Sequence, residues 1–260
     1  MVKNFSRNNF VSECIRESNR SFCCGRYVFD FTDNIWRRTT PRDYCFVKCD
    51  VELDNVNPNY LQEVNQLLDD IFPDPIVKKK FIDHITSAIL GNKKDEFFVY
   101  FGPGSNGKSL VNYIIESVFG GYYVKMPIDI LTTISNSELN LNHLKFSKIV
   151  VMQQDNKNTT FQGELLQKYI NINVKKAREL YSEHIYFIPN HTTIVICNDP
   201  PIIPVDEDIP IAITIPFTTE FVNNPIGPNQ KVLKEFDYDF IQKIKGSFLY
   251  LILDNCKKIK

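Results

Sequence analysis

The eight residues Gly102-Pro103-Gly104-Ser105-Asn106-Gly107-Lys108-Ser109 constrain this chain more than any other stretch. They satisfy the pattern G-x-x-x-x-G-K-[ST] at every position. The apolar run "FFVYF" (97–101) precedes them and an amphipathic run follows. A chance match in a glycine-rich loop would lack that setting, in which a strand runs through a tight turn into a helix. In such a loop the backbone N–H groups converge on a phosphate, and the glycines let the backbone come close. The helix opening near Lys108 adds the positive end of its dipole. Lys108 can reach the β- and γ-phosphates, and the Ser109 hydroxyl can hold Mg²⁺. All eight residues are therefore expected to bind ATP with Mg²⁺.

The loop sits inside an alternating pattern. Short β-rich runs are expected at 96–101, 148–153, 193–197 and 211–215, and helical runs at 107–119, 161–172 and 239–252. Alternation of this kind predicts an α/β domain with a largely parallel sheet flanked by helices. Upstream, helices are expected over 60–72 and 75–91. The second has proline at its start and glycine at its end. Residues 1–56 read as an irregular, partly β segment, with strands at 26–31 and 44–53 around the turn "TTPRD". The stretch "NVNPN" (55–59) is the best linker. The expected organisation is thus an N-terminal segment over 1–56 and an ATPase domain over 57–260, helical at its start (57–92).

An ATPase of this kind needs an acid at the end of the strand beside the loop, and a polar residue on a neighbouring strand. "KIVVMQQD" (148–155) supplies the first strand. Asn198, at the end of "TTIVIC", can supply the polar group, although an Asx turn before Pro200 also fits it.

These stretches resemble a superfamily 3 helicase, a viral branch of the AAA+ ATPases, and most of all the helicase part of the primase-helicases of poxviruses and other large cytoplasmic DNA viruses. The resemblance is carried by Asn106 before Gly-Lys-Ser, and by the 148–155 strand. It is carried also by the run from Lys168 through "ARELY" to Asn198, and by "IPF" (215–217) with the helix "GSFLYLIL" (246–253). Upstream, "CGRYVFDF" and "RRTTPRDY" resemble the segment that precedes this helicase in such proteins. The resemblance implies catalytic roles for Lys108, Gln154, Asp155 and Asn198, and Mg²⁺ held by Ser109 and Asp155. It implies a homo-oligomeric ring, a hexamer, translocating on single-stranded DNA. Lys175, Lys176 and Arg178, on a hairpin between two apolar runs, are candidate DNA contacts; an ordinary solvated hairpin fits them equally. Primase or other replication proteins are the implied partners. The family's primase segment is not expected within these residues.

The chain also departs from that pattern. Where the family ends its strand with carboxylates, Gln153-Gln154 stand before Asp155. Glutamine can orient a water but cannot take its proton. "DIPIAIT" (208–214) lacks the arginine that would reach a neighbour's γ-phosphate, a group worth roughly 10³ to 10⁵ in rate. "NIN" (171–173) replaces a glycine-rich turn. A non-enzymatic descendant that binds ATP and assembles is therefore the competing reading. A small-molecule kinase shares only the loop, and "NNPIGPNQK" (223–231) has no arginine to act as a lid.

Net charge is −1 over 260 residues, so nucleic-acid contacts must be local. No apolar run approaches the roughly 20 residues of a membrane span, and the polar start is unlike a signal peptide. An intracellular protein without membrane contact is expected, in the host cytoplasm where such viruses replicate. Of the seven cysteines, Cys23, Cys24, Cys45 and Cys49 can be read as a zinc cluster or as buried thiols. The run Lys78-Lys79-Lys80 can be a wet helix face or a DNA patch.

Overall fold

The structure is a computed structural model that describes residues 7–91, 95–133, 141–154, 159–170, 175–178, 184–205, 208–233 and 237–258. The elements run in order α1 (Arg7–Ser18), β1 (Ser21–Cys24), β2 (Tyr27–Asp30), β3 (Ile35–Arg38), α2 (Leu61–Ile71), α3 (Pro75–Leu90), β4 (Glu96–Phe101), α4 (Lys108–Phe119), β5 (Tyr123–Pro127) and α5 (Asp129–Thr132). Then come β6 (Ile149–Gln153), α6 (Gly163–Ile170), β7 (Lys175–Arg178), β8 (His184–Phe187), β9 (Thr192–Cys197), β10 (Ile211–Pro216), β11 (Glu220–Val222), β12 (Gln230–Val232) and α7 (Tyr238–Cys256).

The central sheet has the order β10-β4-β9-β6-β5, and all its pairs are parallel. Its inner strands are continuous apolar runs because both faces are covered. Side chains alternate between the faces. Phe98, Tyr100, Val151, Ile194 and Ile196 join one core with residues of α2, α3, α4 and α7. Phe97, Val99, Val150, Met152, Val195 and Cys197 join a second core with residues of α5 and α6. α3 is bounded as its sequence predicts: the Asp74 side chain accepts from Ile76 N, Pro75 opens the helix, and Gly91 closes it at φ 70°.

The N-terminal segment is partly β, with β1-β2-β3 antiparallel. Its core residues Phe22, Val28, Phe29 and Val51 belong to the same cluster as α2, α4 and α7. One local expectation fails, and some elements form that the sequence pattern does not announce. The strand expected over 44–53 does not form. Arg37 gathers Asp30 and Asp43, Pro41–Asp43 makes a short 3₁₀ turn, and Tyr44 sits at φ 46°, so the chain leaves extended geometry. α1 was unanticipated, although Val11, Cys14, Ile15 and Ser18 line its covered side at helical spacing. β5 was also unanticipated; it is a short edge strand with an alternating rather than continuous burial pattern.

The Lys78-Lys79-Lys80 run is engaged by this chain itself. Lys78 Nζ donates to Asp69 at 2.7 Å, Lys79 pairs with Asp83, and Lys80 Nζ donates to Thr214 O at 3.1 Å. No helix among the described residues is long and apolar enough to cross a membrane. Among the described residues no group of three or more His, Cys, Asp or Glu could hold a metal ion. Cys23, Cys24 and Cys49 are buried and Cys45 is exposed.

Candidate nucleotide site

Because β4, β6 and β9 are parallel, their carboxyl ends open onto one edge of the sheet, where ligands of open α/β sheets collect. β4 delivers the 102–109 loop there, and α4 begins at Lys108. β9 lies between β4 and β6, so Asn198 and Gln153-Gln154 face the loop from adjacent strand ends. A cavity of about 300 Å³ lies between them, walled by the loop, Gln153, Gln154, Cys197 and Asn198, with Phe221 and Leu233 on the far side.

The loop is pinned from behind. A Cβ at Gly102 would stand 2.3 Å from Phe217 O, and Gly107 opens the helix at φ 89°, so both positions require glycine. Ser105 is held at φ 58°, and its carbonyl accepts from Phe221 N at 2.7 Å. Asn106, almost wholly buried, donates through Nδ2 to Phe217 O at 3.2 Å; its Oδ1 accepts from Lys108 Nζ at 3.1 Å. Asn106 is thus a positioning residue joining the loop to the segment that leaves β10. The main chain at Gly104, by contrast, is open, with no atom within 4 Å of where a Cβ would lie.

Lys108 Nζ also donates to Gly102 O at 2.5 Å and Pro103 O at 2.9 Å. Loss of water around the ammonium lowers its pKa. The neighbouring Cys197 thiol is pushed up to about 11 by burial, against the pull of Lys108. A cation ringed by carbonyl oxygens at a helix N-terminus, beside an open glycine backbone, fits a phosphate group.

Gln153 is exposed while Gln154 is buried, its N–H donating to Ile196 O at 2.8 Å. The strand therefore turns Gln154, not Gln153, inward beside the loop. Asn198 is exposed at the end of β9, and its carbonyl accepts from Gly102 N at 3.3 Å. Ser109 is exposed at the start of α4. Asp155 lies outside the described residues, as does the "NIN" stretch. Lys175, Lys176 and Arg178 fall on β7, which pairs antiparallel with β8. That hairpin is tied to α1 through Ser12 Oγ, which donates to Tyr186 O at 3.0 Å. It is a separate two-stranded sheet.

Sequence reasoning missed Cys197, Phe221 and Leu233. Cys197 was visible as the last residue of the run before Asn198. Phe221 and Leu233 come from beyond the final sheet strand and carry no motif.

The chain is similar to proteins of known sequence and structure. The chain is similar to proteins named as helicases in large DNA viruses. It is 26% identical over 214 residues to "Putative helicase L207/L206" of Acanthamoeba polyphaga mimivirus, covering 79% of this chain and 22% of that protein. It is 31% identical over 110 residues to "Putative helicase 184R" of Invertebrate iridescent virus 6, covering 40% of this chain and 11% of that protein. The chain thus spans about a fifth or less of the length of these relatives. Among solved structures, the C-terminal region of NrS-1 superposes with a TM-score of 0.54 at 14% identity, over 74% of this chain and 45% of that one. That likeness concerns the fold. No protein-family model matches the chain.

Proposed function

We propose that this chain is the nucleotide-binding module of a viral replicative helicase of superfamily 3, of the AAA+ type, working as a ring on single-stranded DNA. The observation that carries the proposal is the meeting of an intact phosphate loop with Gln154 and Asn198 across β9, at the carboxyl edge of a five-stranded parallel sheet. The interposed strand leaves room between the loop and the β6 end for a phosphate chain and an attacking water. The relatives' names support the helicase reading, and the viruses that carry them support a role in viral replication; the host cytoplasm is the proposed location.

ATP is the proposed ligand, held by residues 102–109. Lys108 exchanges its carbonyl partners for phosphate oxygens, and the start of α4 adds its dipole. Ser109 and Asp155 are the proposed holders of Mg²⁺, which would offset charge on the phosphates. Asn198 is the proposed residue that orients a water or senses the terminal phosphate. Lys175, Lys176 and Arg178 are proposed to follow the DNA backbone from the β7–β8 hairpin, and a hexamer is the proposed assembly.

One observation favours a second reading. The inward-facing residue at the β6 end is Gln154, which cannot act as a base, and 208–214 carries no arginine. A module that binds ATP and assembles with little turnover fits those residues. An ATPase assay with and without single-stranded DNA separates the two. DNA-stimulated turnover supports the helicase; tight ATP binding without turnover supports the assembly module. Failure to bind ATP at all overturns both.

A further inference from the structure

We propose that Cys24 and Cys49 form a disulfide site, oxidised by a hydroperoxide that reaches Cys49 through the cavity between α4 and α7. The two sulfurs stand 2.9 Å apart and both residues are buried. They are held in register by main-chain bonding, since Cys49 N donates to Cys23 O at 3.0 Å. Cys49 Sγ is directed further by a bond to Val51 O at 3.1 Å. Neighbouring residues on a strand point to opposite faces, so Cys23 takes a different partner: its thiol bonds Gly25 O at 3.6 Å and lies beside Cys45. The four thiols are therefore two separate pairs rather than one cage.

Cys49 also lines a solvent-open cavity of about 470 Å³, walled by Tyr113 and Glu116 of α4, Tyr238 and Lys245 of α7, and Lys48. A small neutral oxidant can enter there. Lys245 Nζ donates to Asp50 O at 3.1 Å, which ties α7 to the residue after Cys49.

The chemistry balances with hydrogen peroxide as the named oxidant. The Cys49 sulfur attacks one peroxide oxygen as it gives up its proton, the O–O bond breaks, and the departing hydroxide takes that proton to leave as water. Cys49 is then a sulfenic acid. The Cys24 sulfur attacks it, the S–S bond forms, and the hydroxyl leaves with the Cys24 proton as a second water. Two thiols and one peroxide give one disulfide and two waters; the sulfurs lose two electrons and the peroxide gains them.

The bond would tie β1 to a strap that closes the far end of α4. Asp50 N donates to Val118 O and Gly121 N to Lys48 O, both at 3.0 Å. Oxidation therefore fixes the helix whose other end carries the phosphate loop.

The test is peroxide treatment of the whole protein, alkylation, digestion without reductant, and mass mapping. The expected product is a Cys24–Cys49 linked peptide pair, two hydrogens lighter than its reduced parts and released by dithiothreitol. It should persist in Cys45→Ser and vanish in Cys49→Ser. The oxidised wild type should melt several degrees higher than the reduced protein. A cross-link mapping to Cys23–Cys45, over-oxidised but uncrosslinked Cys49, or stoichiometric zinc that shields these thiols would each overturn the proposal. Mapping of wild type alone decides it should Cys49→Ser not fold.

Discussion

Lys148 offers a stability measurement whose sign and size follow from the structure. Its side chain is almost wholly buried just before β6, at the opposite end of that strand from Gln154. Its Nζ donates to Asn19 O at 3.4 Å. With the Asn190 amide turned to suit its neighbours, that amide's oxygen accepts from Lys148 Nζ at 3.1 Å while its nitrogen donates to Gly91 O. The Phe31 ring lies 5.8 Å away. Burial lowers the ammonium pKa from 10.5 to about 7. That gap corresponds to about 5 kcal/mol between the protonated and neutral folded forms. Between about pH 7 and 10.5 the unfolded chain binds a proton that the folded chain does not, so stability rises with pH in that window. Below it both states carry the charge, and the folded state bears the full desolvation cost. Lys148→Met removes the proton but keeps the volume. Denaturant unfolding of both proteins, followed by Trp36 fluorescence and circular dichroism, isolates this one group because all other titrations are shared. The wild type should gain about 2.5 kcal/mol relative to Lys148→Met between about pH 7.5 and 9.5, on the order of 5 to 10 °C in melting temperature. A difference that stays flat across that range refutes the reasoning.

Three further outcomes test the site. Lys108→Ala should weaken ATP binding at least tenfold, since it removes the cation nearest the phosphates; equal binding of labelled ATP by both proteins would show that the nucleotide sits elsewhere. If Gln154 stands at the catalytic position, Gln154→Glu should raise basal hydrolysis by ~10² at least. If Asp155 serves instead, that change does little and Asp155→Asn abolishes turnover. Unchanged rates in both variants would remove β6 from the active site. ATP should drive assembly visible by light scattering, and a strict monomer with ATP and single-stranded DNA present would count against the ring.

The phosphate loop, the strands on either side of it and the helix that follows were legible in the sequence because each is a local matter. The loop needs glycine where its backbone turns left-handed, and buried parallel strands need unbroken apolar runs. Asp74, Pro75 and Gly91 mark the ends of α3 for the same reason, since capping is settled within a few residues. Local signals failed where distant partners competed. Residues 44–53 have strand composition, but Arg37 reaches across to Asp43 and bends the chain before a strand can begin. α1 carries its apolar spacing in a mostly polar sequence, and its covered side acquires meaning only against β1 and β8. The sequence could name Gln154 and Asp155 as alternatives for one position. Pairing of β6 with β9 buries Gln154 and leaves Gln153 exposed, because register in a sheet is a property of two strands. Likewise, nothing in the order of residues announces that Phe221 and Leu233 close the nucleotide cavity, that Asn106 is fastened to Phe217, or that Cys24 meets Cys49. Those contacts join segments separated by tens of residues or more, and only the packed chain brings them together.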